Sequence, residues 1–195
     1  MSSVPLRLGV LASGSGTNLQ SILDACAAKT INAEVALVIS NKRTAGALVK
    51  ASSVGVDSQV ISHKAYTTRK SFEEALVQSF RLRNIQLVVL AGFMRLLTSH
   101  FLNAFRNRVI NIHPSLLPAF PGVNAQQQAF DYGVKFSGCT VHFVDEGMDT
   151  GPIIAQAVVP VLDTDDVETL QKRILVEEHK LLPQVIQWIA DEQIM

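Results

Sequence analysis

The chain has 195 residues, a little above the usual length of one domain, and nothing in the sequence forces a split. Its 48% of apolar against 17% of charged residues argues strongly against intrinsic disorder. Its 17 basic and 17 acidic residues give zero formal charge, and no polybasic stripe appears, so the electrostatic footprint of a nucleic-acid-binding protein is missing. Glycine and serine interrupt the amino-terminal apolar run, so neither a signal peptide nor a membrane span fits it.

Cys26 and Cys139 are the only cysteines, and they lie far apart without metal-ligand spacing. This usage predicts two reduced, buried thiols in a cytoplasmic protein. The five histidines are scattered and form no HExxH or comparable pattern. We therefore predict that the protein has no metal site.

Apolar runs alternate with helical patterns through the first half of the chain. Runs at 6–12, 35–40, 59–61 and 87–91, and one ending at Asn111, predict strands, and the segments from Thr17 onward and at 45–54, 68–82 and 99–105 predict helices. Strands that are apolar on both faces and separated by helices predict a parallel sheet covered on both sides. The expected fold is therefore α/β, with a mostly parallel sheet flanked by helices.

The second half of the chain shows a different pattern. A helix is predicted at 125–132, ending at Gly133, and is followed by two apolar runs at 139–144 and 153–161. The segment 145–151 between these runs is short and contains two glycines. Two strands so closely connected predict an antiparallel extension of the sheet.

The last segment is predicted to be a helix that begins at a capping box formed by Asp165 and Glu168 and runs towards Trp188. Pro183 is expected to bend or split this helix. Glu178 borders its apolar stripe, so its carboxylate either faces the sheet edge, where it could bind an ammonium group or a ribose hydroxyl, or is solvated.

The loop after the first strand resembles a phosphate-binding loop without matching either familiar pattern. Gly14 and Gly16 lack the third glycine of GxGxxG, no lysine follows Gly16, and the second strand ends in Ser40 rather than an acidic residue. The loop could be an ordinary tight turn. Because the successive amides of residues 15–18 open a helix, we favour binding of a monophosphate at this helix N-terminus.

The run ending at 118 places two polar side chains two residues apart, at Asn111 and His113, before Pro114 stops the strand. Residues i and i+2 of a strand share a face, so the amide and the imidazole should project together. Such a pair could protonate and stabilise an oxyanion, although a histidine at a strand end is often purely structural. A carboxylate such as Asp149, if it lay beside His113, would favour the charged imidazolium.

Taken together, four motifs closely resemble the phosphoribosylglycinamide formyltransferases, folate-dependent enzymes of purine synthesis within the formyltransferase superfamily. The resemblance runs in order over nearly the whole chain. The motifs are Ala12-Ser-Gly-Ser-Gly-Thr-Asn18, Leu90-Ala-Gly-Phe-Met-Arg95, Asn111-Ile-His-Pro-Ser-Leu-Leu-Pro118 and the segment 145–152.

The resemblance implies a single Rossmann-like domain over residues 1–195, with ribonucleotide binding in its amino-terminal part and folate-binding and catalytic loops in its carboxy-terminal part. Catalysis is expected to fall on Asn111, His113 and Asp149, and a cis peptide bond is expected before Pro118. The residues expected to bind glycinamide ribonucleotide are Gly16, Thr17, Asn18 and Glu178. Those expected to bind folate are Arg69, Met94, Arg95, Leu96, Leu97, Asn111, Asp145, Glu146, Gly147, Met148 and Asp149.

The activity so implied is transfer of the formyl group of 10-formyltetrahydrofolate to the amine of glycinamide ribonucleotide, by a monomer or homodimer that needs no metal. Hydrolysis of the same folate is the main alternative, although such hydrolases usually carry an additional amino-terminal regulatory domain that is not seen here. A nucleotide-binding module without enzyme activity would leave His113 and Asp149 without a task. Some family members carry a histidine where Val123 and Asn124 stand here, so no second catalytic histidine is assigned.

Overall fold

The computed structural model describes residues 4–194 as a seven-stranded sheet flanked by helices. The strands are β1 (Leu6–Ala12), β2 (Ala33–Ser40), β3 (Ser58–Val60), β4 (Leu87–Leu90), β5 (Val109–His113), β6 (Phe136–Phe143) and β7 (Ile153–Pro160). The helices are α1 (Thr17–Ala27), α2 (Gly46–Ser53), α3 (Arg69–Leu82), α4 (Ser99–Ala104), α5 (Ala125–Tyr132) and α6 (Val167–Ala190), and a short 3₁₀ turn spans His63–Ala65.

The strand order β3-β2-β1-β4-β5-β6-β7 confirms both parts of the predicted sheet. The first five strands are parallel, whereas β6 pairs antiparallel with β5 and β7 pairs antiparallel with β6. One buried apolar cluster packs α1 and α6 against one face, and a second packs α3 and α4 against the other. The carboxyl ends of the parallel strands therefore open onto one edge, where loops of an α/β sheet usually bind ligands.

The predicted bounds agree with the observed ones to within three residues. The largest difference is at β6, which begins at Phe136 rather than at 139, because antiparallel pairing with β7 extends to the exposed pair Phe136 and Pro160. The predicted strand end at Asn111 moves to His113, which pairs with Thr140. Both site residues of β5 therefore lie within the regular ladder.

The predicted start of the last helix is wrong by one residue. Asp166, not Asp165, is the N-cap, and its partner in the capping box is Thr169 rather than Glu168. Asp165 instead forms a bidentate ion pair with Arg173, in which Oδ1 lies 2.8 Å from Nη2. Pro183 does not split the helix, which continues from Val167 to Ala190.

The prediction of two free, buried thiols is confirmed for Cys139 and only in part for Cys26. Both thiols are free, but Cys26 is only partly buried, whereas Cys139 is buried beneath α6. Burial raises the pKa of Cys26 to about 11 and that of Cys139 to about 12. Both side chains therefore stay protonated and poorly nucleophilic near neutral pH.

Candidate functional site

The turn from β1 into α1, called the glycine loop here (residues 13–16), is shaped by close packing against α2. Gly16 has φ of +75°, and a Cβ atom on it would lie 2.6 Å from the Cα of Ala47. A larger residue at Gly16 would therefore be both strained and in collision. The first amides of α1 follow directly, which is the arrangement that binds anions.

Asn18, in the first turn of α1, joins the glycine loop to the carboxylate of α6. Its Nδ2 donates a hydrogen bond to Oε2 of Glu178 at 2.7 Å. Glu178 is only 5% exposed, so the alternative of a solvated side chain is wrong. Burial raises the pKa of Glu178, and the hydrogen bond from Asn18 only partly opposes that effect.

Three polar atoms around the site connect the glycine loop with the segment after β4. The hydroxyl of Ser13 donates to Oδ1 of Asn41 at 2.7 Å and accepts from the backbone N–H of Met94 at 3.0 Å. Both Ser13 and Asn41 are buried. The predicted ribonucleotide and folate segments thus share one buried hydroxyl, a link that requires β1 to lie between β2 and β4.

The residues predicted to bind folate, apart from Asn111 on β5, fall into three places. Met94 and Leu96 are exposed and Arg95 is partly buried, whereas Leu97 packs into the apolar cluster under α3 and α4. Arg69 is exposed in the first turn of α3. The remaining residues, Asp145, Glu146, Gly147, Met148 and Asp149, lie in the loop between β6 and β7 (residues 145–151, the acidic loop).

Buried Glu73 of α3, which sequence reasoning missed, anchors the segment after β4. Its two carboxylate oxygens accept from the backbone N–H and the hydroxyl of Thr98, with the N–H bond at 2.9 Å. Because Thr98 follows Leu97 directly, this contact fixes the carboxyl end of the predicted folate segment.

Asn111 and His113 project to one face of β5, as predicted, and both meet Asp149 of the acidic loop. His113 Nδ1 lies 3.3 Å from Asp149 Oδ2, and Asn111 Nδ2 lies 3.5 Å from Asp149 Oδ1. The other ring nitrogen of His113 lies 2.9 Å from the carbonyl oxygen of Phe120. Since both partners of the imidazole can only accept, the arrangement suits a doubly protonated ring.

Asp149 is held in place by its backbone as well as by its contacts. Its φ is +56°, a conformation that Asp tolerates, and its Oδ2 accepts the Gly122 amide at 2.8 Å. Burial raises the pKa of the Asp149 carboxyl group. The contact with His142, the Gly122 hydrogen bond and the charge of His113 outweigh that burial and hold the pKa below its usual value.

The proline-rich loop (residues 114–122) is anchored from β6. Buried Thr140 donates its hydroxyl proton to the Ser115 carbonyl at 2.7 Å and accepts the Leu117 amide at 3.0 Å. The peptide bond between Leu117 and Pro118 is cis, in agreement with the expectation. This anchoring fixes the Phe120 carbonyl that holds the His113 ring.

His142, on β6, also reaches this cluster and was missed from the sequence. It is the register partner of Asn111, and its Nε2 lies 3.2 Å from Asn111 Nδ2. Its position could be anticipated only from the antiparallel pairing of β5 and β6, because the two residues are far apart in sequence. The cluster therefore has four members, Asn111, His113, His142 and Asp149.

A family model described as formyl transferase matches residues 6–186. The chain belongs to the formyl transferase family. It is 43% identical to the phosphoribosylglycinamide formyltransferase of Bacillus subtilis, with 92% of each chain covered, and 39% identical to that of Escherichia coli, with 95% of this chain and 88% of the other covered. A glycinamide ribonucleotide transformylase structure from Symbiobacterium toebii superposes with a TM-score of 0.96 at 51% identity, covering 98% of this chain and 90% of that one.

Some relatives of this formyl transferase family member are much longer. The chain is 46% identical to the trifunctional purine biosynthetic protein adenosine-3 of Drosophila melanogaster over 95% of its length. It spans only 14% of that protein.

Two clefts of this formyl transferase domain border the residues described above. One of about 470 Å³ lies along α6 and includes Glu178, Leu175 and Gln126 in its lining. The other, of about 210 Å³, lies beside Asp149 between the proline-rich loop and the start of β7. Within residues 4–194, no three His, Cys, Asp or Glu side chains are grouped closely enough to hold a metal ion, and no helix has the length and apolarity needed to cross a membrane.

Proposed function

We propose that the protein transfers the formyl group of 10-formyltetrahydrofolate to the amine of glycinamide ribonucleotide, giving formylglycinamide ribonucleotide and tetrahydrofolate. The observation that carries the proposal is the convergence of Asn111 and His113, both on strand β5, with Asp149 of the acidic loop. An amide N–H and a protonated imidazole, oriented by a carboxylate, are the groups required to stabilise an oxyanion. Relatives named for this activity match most of the chain.

The reaction begins with attack of the amine on the formyl carbon, which places negative charge on the formyl oxygen. His113 Nε2 is bound by the Phe120 carbonyl, so its Nδ1–H is the donor for that oxygen, and the Asn111 amide supplies the second. The Nδ1 contact to Asp149 is 3.3 Å, longer than a strong charge-assisted bond, so this hydrogen can be shared with a substrate oxygen. Asp149 then stabilises the imidazolium.

Collapse of the tetrahedral intermediate expels the folate nitrogen. The attacking amine must lose a proton and the folate nitrogen must gain one, so no net proton is consumed. An ordered water that bridges the two nitrogens completes this transfer. The pKa of Asp149 is held below its usual value, so this carboxyl group is ionised at neutral pH and serves as an electrostatic partner rather than as an acid.

The ribonucleotide is proposed to bind between the glycine loop and α6, with its phosphate on the amides that follow Gly16 and its amine end near Glu178. One buried polar atom beside this carboxylate, Asn18 Oδ1, lacks a hydrogen-bond partner among the described residues. An unpaired buried acceptor is costly unless a ligand satisfies it. An amine or a ribose hydroxyl would supply the missing donor.

The folate is proposed to lie along the exposed side chains of Met94 and Leu96, Arg95 and the acidic loop, with Arg69 nearby at the start of α3. Leu97 would contribute its backbone only, because its side chain is in the core. In the acidic loop, Asp145 accepts from the Gly147 amide at 3.1 Å, so the loop is ordered by its own contacts. One domain, a cytoplasmic location and a monomeric or homodimeric state belong to the same proposal.

One assay tests the proposal against its alternatives. Purified protein is supplied with 10-formyltetrahydrofolate, with or without glycinamide ribonucleotide, and tetrahydrofolate release is followed. Release that requires the amine supports transfer. Release without the amine would instead identify a hydrolase, and no release under either condition would leave only nucleotide binding.

A further inference from the structure

His142 is buried beside the proposed oxyanion donors, yet the reaction as derived above gives it no task. It is 2% exposed and stands opposite Asn111 in the antiparallel pairing of β5 with β6. Cross-strand partners of this kind project from the same face of a sheet. The register of β5 and β6 therefore places the His142 ring next to the Asn111 amide.

The hydrogen bonds of His142 determine which ring nitrogen carries the proton. Nδ1 lies 2.8 Å from the Phe143 carbonyl oxygen, which can only accept, so Nδ1 is protonated. In the neutral ring Nε2 then presents a lone pair, and Asn111 Nδ2 lies 3.2 Å away as a donor. Asp149 Oδ1 is 3.7 Å from Nε2, beyond hydrogen-bond distance.

An asparagine amide can occupy its site in two orientations of nearly equal shape, exchanging NH₂ for oxygen. If Asn111 were reversed, its Oδ1 would face the lone pair of His142 Nε2. The same reversal would turn an oxygen towards the Asp149 carboxylate and the developing oxyanion. The reversed amide would repel each of these groups, so a neutral His142 favours the orientation that donates.

We propose that His142 is a positioning residue for formyl transfer, which accepts a hydrogen bond from Asn111 and thereby keeps the Asn111 N–H aimed at the formyl oxygen. The inference rests on the proposed function for its catalytic consequence. The alternative is that His142 only fills space in the sheet. A filler would act through packing and would be indifferent to the identity of residue 111.

The test compares His142→Gln, whose side-chain oxygen can replace Nε2 as acceptor, with His142→Leu, which fills similar volume without one. We expect His142→Leu to lower kcat by about 10-fold or more with little change in either KM, since it weakens an oxyanion donor. We expect His142→Gln to stay within about 3-fold of the wild type. Equal loss in the two variants, or full activity of His142→Leu, would overturn the proposal.

A double-mutant cycle separates positioning from packing. On an Asn111→Ala background His142 has no amide to orient, so His142→Leu should change kcat by less than about 2-fold. A loss that persists undiminished on this background would show that His142 does not act through Asn111. Thermal unfolding of each variant identifies any that fails to fold.

Nitrogen-15 NMR of the wild-type ring supplies a readout that needs no activity. Protonated Nδ1 and unprotonated Nε2 are expected, whereas a proton on Nε2 of the neutral ring would refute the inference. If the wild type does not transfer formyl groups at all, the proposed function fails, and this spectrum still decides the hydrogen bond by itself. The two failures are therefore distinguishable.

Discussion

Two polar clusters of this protein differ in how they stabilise a buried carboxylate. In the cluster around Asn111 and His113, Asp149 meets three donors and the pKa of its carboxyl group lies below its usual value. In the cluster at α1 and α6, Glu178 has Asn18 as its hydrogen-bond donor, and the pKa of its carboxyl group is raised. One carboxylate is already stabilised by the fold, whereas the other is costly until a cation joins it.

Under the proposed function, the opposite pKa shifts of Asp149 and Glu178 fit two different roles, catalysis and substrate recognition. A group that must stabilise charge during the reaction gains from being charged and oriented beforehand. A carboxylate that must recognise an amine can lack some of its hydrogen-bond donors in the free protein. The bound amine then supplies the missing donor and the opposite charge, which strengthens its binding. The unpaired Asn18 Oδ1 beside Glu178 fits the second role.

The largest expected effect is that of Asp149→Asn, which removes the charge but keeps the size and the tolerance for positive φ. We expect kcat to fall by about 100-fold or more, because the imidazolium loses its counter-charge. Steady-state kinetics with both substrates measures the change. Asp131→Asn, an exposed carboxylate on α5, is the matched control and should leave kcat unaffected.

Asp149→Asn also tests whether residue 149 is charged, through the pH dependence of the free energy of unfolding. Because folding lowers the pKa of Asp149, its ionised form stabilises the wild type above the unfolded pKa, and this contribution is lost as pH falls through the folded value. The wild type should therefore unfold at higher denaturant than Asp149→Asn near neutral pH, with the gap closing in acid. A gap that is constant with pH would contradict a charged Asp149.

Glu178→Gln should show the opposite balance, with weaker binding and a more stable fold. Loss of the carboxylate is expected to raise KM for glycinamide ribonucleotide by about 10-fold or more, since a bond to a charged partner is lost. Folding raises the pKa of Glu178, so its contribution to stability is present below the unfolded pKa and is lost as pH rises through the folded value.

The stability gained by Glu178→Gln over the wild type, measured by denaturant unfolding, should therefore grow as the pH rises above the unfolded pKa of Glu178. Glu177→Gln is the matched control, because Glu177 pairs with Lys180 near the surface. Should the Gln variant bind the ribonucleotide normally, the assignment of Glu178 to the amine would fail, whatever its stability.

Local signals in the sequence predicted most of the fold and one side of the site. Alternating apolar runs located the strands, and the two-residue spacing of Asn111 and His113 placed both on one face of β5. The start of α6 was missed because Asp165 and Asp166 both fit a capping pattern. Arg173, eight residues further on, decides between them by pairing with Asp165, which leaves Asp166 to cap.

The contacts that sequence could not supply depend on the order and register of the strands. His142 meets Asn111 only because β6 pairs with β5 in one particular antiparallel register. Ser13 reaches both Asn41 and Met94 only because β1 lies between β2 and β4. No spacing within a single segment encodes either arrangement, so a pattern search along the chain leaves both unseen.

Ser13→Ala is the smallest perturbation and the one that touches both of the proposed substrate regions. It leaves the buried Asn41 Oδ1 and the Met94 N–H without their shared hydroxyl, which should cost about 1–3 kcal/mol of unfolding free energy. Ser53→Ala removes an exposed hydroxyl bonded to the Lys50 carbonyl and should change stability by less than about 0.5 kcal/mol.

The kinetic expectation for Ser13→Ala follows from what the hydroxyl joins. It ties the glycine loop to the segment that carries Met94 but has no hydrogen bond to Asn111, His113, His142 or Asp149. KM for both substrates should therefore rise by a similar factor of about 2–5, while kcat stays close to that of the wild type, because only ground-state positioning is lost. A rise in KM for only one substrate would show that the two regions are positioned independently and that Ser13 stabilises only one of the two loops.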